Sequence, residues 1–155
     1  MQGNAGVLVP VTSQLSGGRL GGVINFREQM LDPSSNSLGL VAIGMGNFVN
    51  EQHQRGMDLN GVLGLDVFSV AQPQVLAVAG TPGNVSVAFD DVSQLTNSDY
   101  KLRFNAGTWE LTNKLTGQTI AMTGTGTAVD PFIAEGRAIE ISAAPATGDT
   151  YLLRP

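Results

Sequence analysis

The stretch SLGLVAIGMGNFVNEQHQRG, Ser37 to Gly56, decides half of the fold. Leu38, Val41, Ala42, Met45, Phe48, Val49 and Gln52 recur at the three-and-four spacing of one helical face. Leu40 and Ile43 lie off that stripe, so the helix is apolar on more than one side and needs more than one covering partner. Gly39, Gly44 and Gly46 each cost about 1 kcal/mol against alanine inside a helix, which points to close backbone approach at these positions. Gly56 supplies a C-terminal stop.

Working back from this helix, Asp32-Pro33 reads as an N-cap followed by proline in a first turn, so a separate helix precedes it. That helix opens at Ser16-Gly17-Gly18 and runs to Leu31, with Leu20, Val23, Ile24, Arg27 and Leu31 on one stripe and Phe26 and Met30 on a second. Before it, Gly6 to Thr12 reads as an edge strand or linker. The front of the chain is therefore expected to be a helical hairpin.

Working forward, the pattern changes near Asp66 and becomes period two from Val67. Val85, Val87 and Phe89 alternate, as do Tyr100, Leu102 and Phe104, then Trp109 with Leu111, Ile120 with Met122, Ile139 with Ile141, and Tyr151 with Leu153. Turn signals at Gly80–Gly83, Asn105-Ala106-Gly107, Thr116-Gly117, Gly124–Thr127 and Thr147-Gly148-Asp149 separate these runs, and Asp90 to Ser98 has room for one helical turn. The fold class is α+β: a helical segment over residues 1–66, then an antiparallel β-rich sandwich or small barrel over 67–155.

Composition restricts function. Only 14% of the 155 residues are charged against 42% apolar, a balance that leans toward burial against partners. The net charge is −5 with two lysines, Lys101 and Lys114, so no basic patch is present to neutralise phosphates and nucleic-acid binding is not expected. Absence of cysteine removes disulfides, thiol catalysis and thiolate metal sites. No apolar run has membrane-span character, and no basic-then-apolar leader is visible at Met1.

Catalytic chemistry is sparse. His53 is the sole histidine, flanked by Gln52 and Gln54 near a helix end, where a solvated role fits better than a triad or metal site. Asp90-Asp91 reads as loop and cap rather than as a glycosidase pair. Asp58-Leu59-Asn60-Gly61 with Asp66 lacks the closing glutamate of a calcium loop. Gly124-Thr125-Gly126 has no following helix to hold a phosphate, and Asn84-Val85-Ser86 places a glycosylation sequon inside an alternating strand. No enzyme, metal, cofactor or small-molecule substrate is expected. A carbohydrate-binding module using Trp109, Tyr100 or Tyr151 as a stacking platform, and a glycoside hydrolase fragment, are the rival readings.

Several runs together resemble the family of the first flagellar hook-associated protein, the junction subunit between hook and filament. They are GGRLGGVINFREQMLDP (Gly17 to Pro33), FVNEQHQRGMDLNG (Phe48 to Gly61), GLDVFSV (Gly64 to Val70), SDYKLRF (Ser98 to Phe104), GTWELTNKLTGQTI (Gly107 to Ile120) and ATGDTYLLRP (Ala146 to Pro155). The resemblance implies a structural protein exported without a cleaved signal and located in the extracellular flagellum. It implies a ring of copies contacting the hook subunit and a neighbouring hook-associated protein, with terminal helices beyond this chain. In that setting Val23, Phe26, Met30, Leu38, Val41, Met45 and Phe48 are expected to pack against those helices. The loop carrying Gly56, Asp58, Asn60, Gly61 and Gly64 is expected to set the exit to the β part. Another axial protein, such as the hook subunit, is the alternative within the same class.

Overall fold

The computed structural model describes residues 17–78, 81 and 85–155. The predicted strand or linker at Gly6–Thr12, the Ser16 helix start, the glycine turn at 80–83 and Asn84 of the sequon fall wholly or partly outside these residues. Contacts divide the chain into two units, Met1–Ser34 and Ser35–Pro155.

The first unit is helical. Helix α1 covers Gly18–Phe26 behind an extended Gly17 N-cap, and a π-helical turn follows over Arg27–Leu31. Helix α2 then starts at Asp32 and ends at Gln54. This corrects the expected hairpin: Phe26, Arg27 and Asp32 all keep right-handed helical dihedrals, so one helical run replaces two helices and a turn. Proline in a helix normally presses its ring on the carbonyl four residues back, here Gln29. The wider π turn, in which the Asp32 amide donates to the Arg27 carbonyl, holds Gln29 in its middle and opens the crowded turn. Arg27 also pairs with Asp32 at 3.6 Å across the turn.

The second unit contains the rest of α2 and, among the described residues, eight strands: β1 (Gln74–Ala77), β2 (Val85–Phe89), β3 (Tyr100–Asn105), β4 (Thr108–Asn113), β5 (Thr119–Ile120), β6 (Phe132–Ala134), β7 (Arg137–Ile141) and β8 (Thr150–Arg154). They form two antiparallel sheets, β1-β8-β3-β4-β5 and β2-β7-β6. Both sheets are open, so the small-barrel alternative is not what forms. Two-residue turns with positive φ join β3 to β4 (Ala106, Gly107) and β6 to β7 (Glu135, Gly136), the twist that suits tight hairpins.

One core joins the sheets. Tyr100, Leu102, Leu111, Tyr151 and Leu153 from the larger sheet meet Val85, Val87, Ala134 and Ile139 from the smaller. Ile120 and Met122 of the fourth predicted run pack at its margin, although the strand itself stops at Ile120. Trp109 packs between Phe104 and Tyr151, with ring centroids 5.1 and 6.0 Å away. Arg137 is buried with its guanidinium 4.9 Å above the Tyr100 ring, donating to the carbonyls of Glu135 and Thr96. Burial draws its pKa below the ordinary arginine value, offset chiefly by the Tyr100 interaction.

Two strands, β1 and β6, were not expected, and residues 67–73 are not a strand. The predicted turn in Asp90–Ser98 is a 3-10 helix at Val92–Gln94, capped by Asp91, whose carboxylate accepts from the Ser93 amide.

Candidate functional site

The exposed face of α2 is the most conspicuous surface of the second unit. Leu38, Val41, Met45 and Phe48, spaced by three, four and three residues, are between 59% (Val41) and 73% (Leu38) exposed. The helix faces its own unit with other residues: Gly46 and Asn50 are buried, and Leu40 and Ile43 half-buried. The β sheets therefore do not cover the predicted stripe. In the first unit Val23, Phe26 and Met30 are likewise exposed.

Of the three glycines expected to mark close approach, only Gly46 does. A Cβ there would sit 3.2 Å from Val70 Cγ2, whereas Gly39 and Gly44 face open space. Asn50, one turn on, fixes the same segment: its Oδ1 accepts from the Val67 and Phe68 amides, each at 2.9 Å, and its Nδ2 donates to the Phe68 carbonyl at 2.8 Å. Residues 67–70 thus form a strap along the end of α2. An apolar groove of about 710 Å³ lies between helix and strap, lined by Ala42, Met45, Gly46, Val49, Phe68 and Val70. No periodicity could have singled out Asn50, since a buried asparagine is visible only through its partners.

The loop after α2 is a small closed turn. The helix ends where the Gly56 amide donates to His53 O. Met57 and Leu63 bridge, the Asp58 amide donates to Val62 O, and Gly61 at φ +80° donates to Asp58 O. The Asp58 carboxylate accepts from the Asn60 and Val62 amides at 2.8 and 2.9 Å. Those bonds, Val62 foremost, hold it below the ordinary carboxylate range. Gly64 lies so close to His53 that a Cβ would stand 2.2 Å from its carbonyl oxygen, and the Gly64 amide bonds Gly56 O. His53 itself is exposed and bonds the Leu65 carbonyl through Nδ1 at 2.6 Å. Asp58 is thus engaged by its own loop backbone. The outer side of the turn is apolar: Met57, Leu59, Val62, Leu63 and Leu65 are all exposed.

Among the described residues no cluster of three or more potential metal ligands occurs, and no helix is long and apolar enough to cross a membrane. The sugar-stacking reading fails on burial: Tyr100 and Tyr151 are 2% and 3% exposed, and Trp109 packs against the core. What the second unit offers outward is an apolar helix face and a rigid apolar turn.

Comparison with known proteins assigns this arrangement. Residues 2–68 match the flagellar hook-associated protein FlgK helical domain, and residues 77–155 match the flagellar hook-associated protein 1, D2-like domain. The chain belongs to the flagellar hook-associated protein 1 family. Within that family it is 31% identical over 157 residues to flagellar hook-associated protein 1 of Escherichia coli K12, covering 100% of the chain and 28% of that protein. It is 29% identical to the Salmonella typhimurium LT2 protein, covering 91% of the chain and 26% of that relative. The solved flagellar hook junction protein FlgK from Burkholderia pseudomallei superposes with a TM-score of 0.77 at 34% identity, over 90% of the chain and 26% of that structure. The chain thus spans about a quarter of the length of the family members it matches, and the fold is α+β as the sequence predicts.

Proposed function

We propose that the chain is part of a structural subunit of the bacterial flagellum that joins hook to filament and works by subunit packing rather than catalysis. The observation that carries this reading is the exposed stripe Leu38, Val41, Met45 and Phe48, an apolar helix face left uncovered by the unit it belongs to. Contiguous apolar surface of this kind marks an interaction site. Family membership supports a setting at the flagellum; on this reading the subunit is extracellular, its partners are the hook subunit and a neighbouring hook-associated protein, and a ring of copies is the assembly. No cofactor or small-molecule substrate enters this reading.

On this reading residues 1–66 belong to an inner helical layer and residues 67–155 to an outer β module. Val23, Phe26 and Met30, with the α2 stripe, pack against helices supplied by the rest of the subunit. The turn through Gly56, Asp58, Asn60, Gly61 and Gly64 fixes how the chain leaves the helical layer. The restriction of Asp58 to its own loop amides supports that structural role.

Immunogold electron microscopy of the source bacterium, with antibodies raised against the purified chain, tests the proposal. A narrow band of label where hook meets filament is expected. Label along the whole filament, over the cell surface, or absent from flagella would overturn it.

A further inference from the structure

Among the described residues, hydrogen bonds attach the part of α2 in the second unit near each of its ends, and the two attachments differ in kind. At its far end Gly46 backs onto Val70 and Asn50 binds Val67 and Phe68, which ties the helix to the strap rather than to a sheet. The strap continues through Gln72, whose side chain reaches the Phe89 amide, and through buried Pro73 into β1. The near end is held by polar side chains. Asn36 Nδ2 donates to the Asn97 carbonyl at 3.0 Å and to Asp99 Oδ1 at 2.9 Å, and Asn97 Nδ2 donates to Ser37 Oγ at 2.9 Å. Fourteen residues of helix separate Asn36 from Asn50, about 21 Å at 1.5 Å per residue.

The sheet side of the near attachment is rigid. Asp99 is buried and pairs with Arg154 of β8 at 3.4 Å, and its carbonyl accepts from the Lys114 amide. Three residues earlier, the Thr96 carbonyl accepts from Arg137 of the other sheet, and Thr96 Oγ1 meets the Tyr100 hydroxyl. Segment Thr96–Tyr100 is therefore gripped by both sheets and would keep its shape without the helix. On the helix side the hydrogen bonds come from Asn36 and Ser37, half-buried and exposed, and water can replace them. The only buried residues of α2 are Gly46 and Asn50, both at the strap end.

We infer that α2 is joined to the sheets by a releasable polar latch, Asn36 and Ser37 on Asn97 and Asp99, and by a hinge at the strap, residues 67–73. The latch sets the angle between helix and sheets. Opening it lets the helix swing while the β core stays folded.

The chain has no cysteine, so two introduced thiols give unique labelling sites. Nitroxides at Leu38→Cys and Glu110→Cys, both exposed, report the angle as a distance by double electron–electron resonance. With the latch intact one narrow distance peak is expected. Adding Asn36→Ala and Asn97→Ala removes the three latch hydrogen bonds described above but leaves the Asp99–Arg154 pair. The distance distribution is then expected to at least double in width or gain a second peak, with Trp109 emission unchanged. Three results would overturn the inference. One is an unchanged distribution, which would mean that other contacts set the angle. Another is a parent distribution already as broad as the variant's. The third is loss of the Trp109 signal with the latch, which would make these bonds part of the β core.

Discussion

Asn50 satisfies three strap hydrogen bonds with one side chain, and alanine there strands the Val67 and Phe68 amides. Asn50→Ala is expected to weaken the strap locally by about 1–2 kcal/mol, seen as a roughly 5–30-fold faster amide exchange at Val67 and Phe68. Unchanged exchange would mean that the strap is held by Phe68 and Val70 packing instead. Asp58 gives a pH signature. Its folded pKa lies below the value of about 4 of an unfolded aspartate, so its contribution to the loop is complete above that value and disappears as pH falls through the lowered one. The Asn60 and Val62 amide proton shifts are expected to stay flat from pH 7 to 5 and to move only below about 4. Asp58→Asn should abolish that titration. The missing closing carboxylate after Asp58 was legible in the sequence, whereas the bonds its carboxylate accepts from the Asn60 and Val62 amides depend on the backbone path and were not. Nor were the unequal roles of the three helix glycines, because tight approach depends on what faces each position, and only Gly46 faces Val70.

Phe48 measures the exposed face of α2. Being 70% exposed, Phe48→Ala is expected to change the stability of this chain by less than about 0.5 kcal/mol. In the full-length protein, if the stripe is buried as proposed, the same change should cost about 3–5 kcal/mol. Equal melting temperatures for the full-length parent and variant would count against that burial. The stripe was readable because helical spacing survives whatever covers it. The continuity of α1 with α2 was not, since Asp32-Pro33 carries the local signature of a helix start and the π turn that accommodates it has no sequence signature of its own. Strands with strong alternation, β2, β3, β4, β7 and β8, were legible. Strand β6 is three residues long, and β1 shows only Val75 half-buried, so neither carries a period to read.

For the molecule as a whole, composition and pattern separated a helical front from a β-rich remainder, but not how the strands pair. Arg137 shows why: a charged residue in an alternating run predicts solvent, yet here it is buried, bonded to the Thr96 carbonyl and stacked on the Tyr100 ring. The order β1-β8-β3 also dictates when this fold can exist. The last of the eight described strands in chain order, β8, is an inner one, pairing Gln74–Ala77 on one side and Tyr100–Arg103 on the other. Without Thr150–Arg154, β1 has no sheet to join and Leu102 no Tyr151 opposite it. Non-local closure of this kind is slow. A chain ending at Asp149 is expected to lack the Trp109 packing signal altogether, and adding a peptide of residues 150–155 in trans should restore it. An inner strand that comes last of the eight in chain order makes closure of the larger sheet a single event rather than a gradual one.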